Sequence, residues 1–144
     1  MTEKERKFVL KKLPKFLLGY NIRQGYLMFD GKKHLRVRII NNVDAYITFK
    51  TIHSAQVRTE YEYKIPLFDA QEMLASTKIK LEKTRFPATF EGNTVHIDIF
   101  KNGIQVVEIE YQNELVRIPD YCGEEVTGQK EFSNIHIAKY GQSL

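Results

Sequence analysis

The sequence predicts a mainly β fold of the α+β kind: an eight-stranded antiparallel closed β-barrel with a few short helices. Three observations lead there. Short segments rich in Val, Ile, Tyr, Phe and Thr alternate between apolar and polar residues with a period of two, as strands with two unlike faces do. Turn signals separate them at Asp30-Gly31, Asn41-Asn42, Glu91-Gly92-Asn93 and Asn102-Gly103, as hairpins require. Their number, eight, is one at which a sheet closes on itself.

In chain order, the first strand is expected from Glu3 to Leu10 and the second from Arg23 to Phe29. The third follows from His34 to Ile40, the fourth from Ala45 to Thr51 and the fifth from Gln56 to Ile65. Asp69-Ala70-Gln71-Glu72 then has the form of an N-cap with its capping-box partner three residues on, opening a helix that carries Met73 and Leu74 towards Lys78. Strands resume at Lys80 to Glu91, Thr94 to Phe100 and Gln105 to Gln112, and short helices are expected over Leu13 to Leu18 and Ser133 to Tyr140. There is no repeat, low-complexity tract or Pro/Gly/Ser-rich linker, so residues 1–144 are expected to form a single domain.

Composition narrows the class. With 42% hydrophobic and 28% charged residues in 144, disordered, collagen-like and fibrous chains are set aside. Cys122 is the sole cysteine, which rules out an internal disulfide and a thiolate metal cluster and suits a reducing, cytoplasmic setting. No stretch approaches the ~20 consecutive apolar residues of a membrane span, and the charged start leads into no signal-type apolar core, so no membrane association is expected. The net charge is +4, yet Lys and Arg are interspersed with Asp and Glu, so a nucleic-acid partner is not expected either.

The chemistry lies in which residues share a face. Residues two apart on a strand point the same way. Glu3, Glu5 and Lys7 therefore share a face, as do Arg36 and Arg38, Thr48 and Lys50, and Arg58, Glu60, Glu62 and Lys64. Lys83 goes with Arg85, His96 with Asp98, and Glu108 with Glu110. The opposite faces carry Val37 and Ile39, Tyr61 and Tyr63, Ile97 and Ile99, or Val107 and Ile109, while Lys4 and Arg6 break the pattern in the first strand. A solvent-facing sheet explains any one strand, since charged residues are mostly exposed. It explains the whole set less well, because arginine is paired with arginine and glutamate with glutamate, and like charges 4 Å apart repel by about 1 kcal/mol even in water.

Two kinds of ligand would relieve that crowding. A polyanion would compensate the cations, and a hard divalent ion such as Mg²⁺ or Mn²⁺ would compensate the carboxylates. Arginine forks grip phosphate oxygens in pairs and lysine adds a point charge, so Arg36, Arg38, Arg58, Arg85, Lys50 and Lys83 suit several phosphate groups at once. No G-x-x-x-x-G-K-[ST] loop is present, so side chains must do the cradling. Neither Cys122 nor any serine sits in a nucleophile context, and His34, His53, His96 and His136 lack zinc spacing.

At this point the residues resemble a family. Glu3-Lys4-Glu5-Arg6-Lys7 matches the E-x-E-x-K signature that opens CYTH proteins, the triphosphate tunnel metalloenzymes that include adenylyl cyclase and thiamine triphosphatase members. It is joined in family order by Gln24-Gly25-Tyr26-Leu27, Leu35-Arg36-Val37-Arg38, Ile47-Thr48-Phe49-Lys50 and Arg58-Thr59-Glu60-Tyr61-Glu62-Tyr63. Glu82-Lys83-Thr84-Arg85-Phe86, Ile97-Asp98-Ile99-Phe100, Val107-Glu108-Ile109-Glu110 and Glu124-Glu125-Val126-Thr127-Gly128 complete the series.

The resemblance implies an eight-stranded triphosphate tunnel. Within it Glu3, Glu5, Asp98, Glu108, Glu110 and Glu125 would hold Mg²⁺ or Mn²⁺, and Lys7, Arg36, Arg38, Lys50, Arg58, Lys83, Arg85 and Lys139 would hold a triphosphate. Glu60 and Glu62 are the candidates for placing or deprotonating water, with Tyr26 and Lys7 as a further catalytic pair. Two positions depart from the family pattern. Val95 stands where many relatives carry tryptophan, and Asn134-Ile135-His136-Ile137-Ala138-Lys139 ends on lysine where arginine is common. With little chain beyond the barrel, the expected activity is hydrolysis of inorganic tripolyphosphate or a related small-molecule triphosphate. Adenylyl cyclisation of ATP and a non-catalytic polyphosphate- or nucleotide-binding role are the alternatives, and a homodimer is left open.

Overall fold

A computed structural model describes residues 2–115 and 117–141. Its strands are β1 (Thr2–Leu10), β2 (Tyr20–Asp30), β3 (Lys33–Ile40), β4 (Asp44–Ile52), β5 (Val57–Ile65), β6 (Lys80–Phe90), β7 (Asn93–Phe100), β8 (Gln105–Tyr111) and β9 (Cys122–Glu125). Helices are α1 (Leu67–Ala75) and α2 (Asn134–Tyr140), the latter preceded by a single 3₁₀ turn at Lys130–Phe132.

The first eight strands close a ring, β1-β5-β4-β3-β2-β6-β7-β8 and back to β1, with every neighbouring pair antiparallel. Local turns set much of this order. Asn41 and Asn42 both take positive φ (51° and 58°), as do Glu91 and Gly92 (49° and 79°), which is the backbone that tight hairpins need to match strand twist. The seam lies at β1. Its N-terminal residues Thr2, Glu3 and Lys4 face Thr59, Arg58 and Val57 of β5, while on the same edge Phe8 and Leu10 face β9.

Alternation sorts the side chains as the strand period requires. On the outside, Phe8, Leu10, Val95, Ile97, Val107 and Ile109 form one buried cluster, covered by Leu13, Leu17, Leu115 and Tyr121 from the connecting segments. A second outer cluster sets Val37, Ile39 and Ala45 against Ala70 and Leu74, one face of α1 at i, i+4 spacing. Gly25 is required there: a Cβ would come within 2.8 Å of Leu74 and 2.9 Å of Thr77. A third cluster joins Tyr26, Leu81, Phe100 and Val106 to Ile137 and Ala138 of α2. Ser133 caps α2, its hydroxyl accepting from the His136 N–H.

Three sequence expectations are corrected. Residues 11–19 form no helix; they run irregularly, and Leu13 and Leu17 pack on the outer cluster without helical spacing being needed. The helix expected to start at Asp69 starts at Leu67, with Pro66 at the N-cap and no side-chain cap. Proline lacks the N–H that a helix start leaves unused, and Asp69 instead lies in the first turn, where its charge favours the positive end of the helix. The short strand β9 was not foreseen, since four residues with two glycine or cysteine positions carry no alternation. No helix among the described residues is long and apolar enough to cross a membrane.

Candidate active site

Inside the ring the strands bring the alternating charged residues together. A cavity of about 190 Å³ is lined by Glu3, Glu5, Glu60, Glu62, Glu108 and Glu110, and facing them by Arg36, Arg38, Lys50, Arg58 and Arg85. His96 and Asn134 complete its wall. Glu5, Lys50, Arg58 and Asn134 also line a second, larger chamber of about 830 Å³ that continues towards α2, where Lys7, Tyr26, His34 and Lys139 are found.

Electrostatics divide the carboxylates. Glu3 is pushed up to about 7 by burial and by Glu60 and Glu110 beside it. Glu5 is raised by burial and Glu108, even though the Arg58 Nη1 lies 2.9 Å from its carboxylate, and Glu110 is raised by burial, Glu5 and Glu108. Glu60 and Glu108 go the other way. Burial opposes ionisation in both, but Arg36 and Lys50 hold Glu60 low, and Lys7, 3.4 Å away, with Lys83 and Arg85 holds Glu108 low. Glu62 sits at the exposed mouth and accepts a hydrogen bond from Thr48 at 2.9 Å.

The cations are crowded in the same manner. Burial and the neighbouring Arg58 and Arg36 lower Lys50 to about 7, and burial with Arg36 and Arg85 nearby lowers Arg38 to about 9. Arg38 donates to Gln24 at 3.0 Å, which keeps its fork aligned across the lumen. Among the described residues the buried Nε atoms of Arg36 and Arg58 have no hydrogen-bond partner, an arrangement costly to hold in a folded chain and relieved by an anion.

Asp98 and Lys83 stand behind this surface, each essentially without solvent exposure. The Asp98 carboxylate accepts from Lys83 Nζ at 2.7 Å and from Arg85 Nε and Nη2 at 2.8 and 2.9 Å, and these cations hold it well below the usual range against the opposing effect of burial. Lys83 also donates to Asn134 of α2 at 2.8 Å. Asp98 is thus already a counter-charge, set apart from Glu3, Glu5 and Glu110. Glu125 does not join them at all. It is exposed on β9 outside the ring, its carboxylate accepting from Arg6 at 2.7 and 2.8 Å and from Thr127 at 2.7 Å. Lys139 is exposed on α2 with its ammonium 3.9 Å from the Phe29 ring centroid, at the rim of the larger chamber. Tyr26 is buried, edge-on to His34 and 3.4 Å from the Gln24 amide.

Sequence reasoning passed over Gln24 and Asn134 as site residues, because uncharged side chains give no like-charge signal. Their place beside Arg38 and Lys83 is set by tertiary packing. The strand period does put His96 on the face of Asp98, but without zinc spacing it carries no signal of a role in the site.

A divalent ion suits the acidic end. The carboxylates there are hard oxygen donors, and Glu3, Glu5 and Glu110 are each raised by burial and then by neighbouring carboxylates, a crowding that a cation relieves. Among the described residues no three carboxylate or histidine side chains already converge on one metal position.

A closed antiparallel ring with a polyphosphate-sized, two-signed lumen defines a class of phosphate-handling tunnel proteins. The CYTH domain family matches residues 1–136, and the chain belongs to that family. An inorganic triphosphatase from Acetivibrio thermocellus is 38% identical over 149 aligned positions, covering 95% of this chain and 93% of its own length. The crystal structure of the inorganic triphosphatase NE1496 superposes with a TM-score of 0.69 at 29% identity, covering 96% of this chain and 95% of that one. A conserved hypothetical protein from Pyrococcus furiosus shares the fold, with a TM-score of 0.64 at 22% identity over 78% of this chain and 80% of its own. The family implies a divalent metal.

Proposed function

We propose that the chain is a metal-dependent triphosphatase that hydrolyses a terminal phosphoanhydride bond of inorganic tripolyphosphate or a closely related triphosphate within the ring. The observation that carries this is the opposition, in one cavity, of carboxylates with raised pKa to arginines whose buried Nε atoms have no partner among the described residues. Similarity to two inorganic triphosphatases supports the same substrate class.

In this scheme Arg36, Arg38, Arg58, Arg85 and Lys50 hold the phosphate oxygens and neutralise charge as the bridging bond breaks, the main demand of phosphoryl transfer. Glu3, Glu5 and Glu110, with Glu108 behind them, would hold Mg²⁺ or Mn²⁺, which supplies further positive charge against the phosphate oxygens. Asp98 keeps Lys83 and Arg85 in place, Lys7 fixes Glu108, and Glu125 is assigned no part in metal binding. Glu60, kept ionised beside Arg36 and Lys50, is the group placed to accept the proton of the attacking water, and Glu62 lies next along the same strand. Tyr26 and Lys139 belong to the larger chamber, where the far end of a substrate would lie.

Phosphate release from tripolyphosphate, ATP and thiamine triphosphate, with Mg²⁺ or Mn²⁺, tests the assignment. Expected is fastest release from tripolyphosphate and none in excess EDTA. Robust hydrolysis in EDTA, or cyclic AMP as the main product from ATP, would sink it.

A further inference from the structure

Of the four histidines, one faces the carboxylates. His53 is exposed and bonded to Thr59, His136 lies on α2 against Tyr140, and His34 is edge-on to Tyr26. His96 points inward from β7, directly across from Glu108 of β8, with Thr94, two residues earlier on the same face, across from Glu110. Its Nδ1 lies 3.8 Å from the Glu110 carboxylate, too long for a hydrogen bond, and its side chain is 20% exposed. Among the described residues neither ring nitrogen makes a hydrogen bond. A largely enclosed imidazole with two unused nitrogens thus borders a cavity shared with Glu3, Glu5, Glu108 and Glu110.

We propose that His96 is a nitrogen ligand of the divalent ion held at the acidic end of the lumen, and that it sets which ion this protein prefers. The inference rests on the triphosphatase assignment above. An all-carboxylate set ranks hard ions such as Mg²⁺ favourably, since Mg²⁺ takes oxygen donors and parts with water reluctantly. One imidazole in the set favours ions that accept nitrogen, so Mn²⁺ and, further along the series, Co²⁺ gain over Mg²⁺. The ring has the freedom to turn towards such an ion because no protein acceptor fixes it.

Pulsed electron paramagnetic resonance on the Mn²⁺-loaded protein reads the ligand directly. Expected is nitrogen modulation from a coordinated imidazole, which changes to the ¹⁵N pattern when only histidine is ¹⁵N-labelled and disappears in His96→Gln. Calorimetric titration should show Mn²⁺ affinity falling by at least about tenfold in His96→Gln, the scale at which metal-site partners act, with Mg²⁺ affinity nearly unchanged. Mn²⁺ bound to wild type without histidine coupling, or an unaltered ratio of Mn²⁺ to Mg²⁺ affinity in the variant, overturns the inference and leaves the triphosphatase assignment standing. Binding of neither ion to wild type overturns both. Absence of histidine coupling in the labelled wild type overturns the inference even where the variant does not fold.

Discussion

Asp98 and Glu110 are both carboxylates on inward faces of neighbouring strands, and they live in opposite fields. Asp98 is enclosed by Lys83 and Arg85, and its carboxyl is held low. Glu110 faces Glu5 across the ladder and has Glu108 two residues away on its own strand, and its carboxyl is raised by burial and by them. The first neutralises cations that would otherwise be stranded; the second adds to a crowding of carboxylates that a proton or an incoming cation relieves. Position along one sheet therefore separates a carboxylate paired with cations from one crowded by other carboxylates.

The sharpest way to break the comparison is to neutralise each in turn. Asp98→Asn strands two buried cations and should destabilise the protein by roughly 3–5 kcal/mol in urea unfolding, the scale for breaking a buried pair. Glu110→Gln should fold at least as stably as wild type in the absence of metal, and lose tripolyphosphate turnover. Equal stability losses in the two variants would erase the distinction.

Next in size come the cations that face the lumen. Arg36→Ala and Arg38→Ala should each weaken tripolyphosphate binding by roughly 1.5–3 kcal/mol in calorimetry, the scale of a hydrogen bond to a charged group. Val37→Ala, on the outer face against α1, should leave affinity unchanged and lower stability by roughly 2 kcal/mol. An intact tripolyphosphate-induced rise in melting temperature in both arginine variants would show that the lumen does not bind the anion.

A smaller effect concerns pH. Glu3 has a folded-state value of about 7 against 4.5 for the free group, so the folded chain binds more protons between these values. Its contribution to metal-free stability is then greatest at low pH and is lost as pH rises from about 4.5 to 7. His34 and His96, each lowered to about 4, act in the opposite sense: their contribution is present above 6.5 and lost as pH falls towards 4. The difference between wild type and Glu3→Gln isolates the first effect, and a melting-temperature difference that is flat from pH 4.5 to 7 would contradict it. Smallest is the outer pair: Arg6→Ala or Glu125→Ala should cost only ~0.2–1 kcal/mol, as exposed ion pairs do, with Mn²⁺ affinity unchanged. A loss of Mn²⁺ binding in Glu125→Ala would return that residue to the metal site.

The ring and its two faces were legible because a strand repeats every two residues, so Arg36 with Arg38 or Glu108 with Glu110 declare a shared side without reference to the rest of the chain. Glu125 enters the metal set only through the family resemblance; β9 is too short to alternate, and the side of its carboxylate is fixed by Arg6, a residue that breaks the pattern of β1. The separation of Asp98 from Glu110 was likewise invisible. It depends on which strand lies next to β7 on each side, β6 with its cations or β8 with its glutamates, and that order belongs to the fold. The irregular run over residues 11–19 shows the same limit: Leu13 and Leu17 have a helix-like spacing, but the surface they cover needs no helix.

The strand carrying Glu3, Glu5 and Lys7 has no sheet partner nearby in the chain. It waits for Val57 to Thr59 for a brief contact, for Val106 to Tyr111 for its main pairing, and for Cys122 and Glu125 for the remainder. By contrast β2, β3, β4 and β5 meet through successive short turns. Contacts so distant in sequence form after local hairpins, so on the ribosome the basic wall precedes the acidic one. The ring is closed where β1 meets β5 and β8, so its acidic wall is complete only once β8 has followed all the strands that pair through short turns.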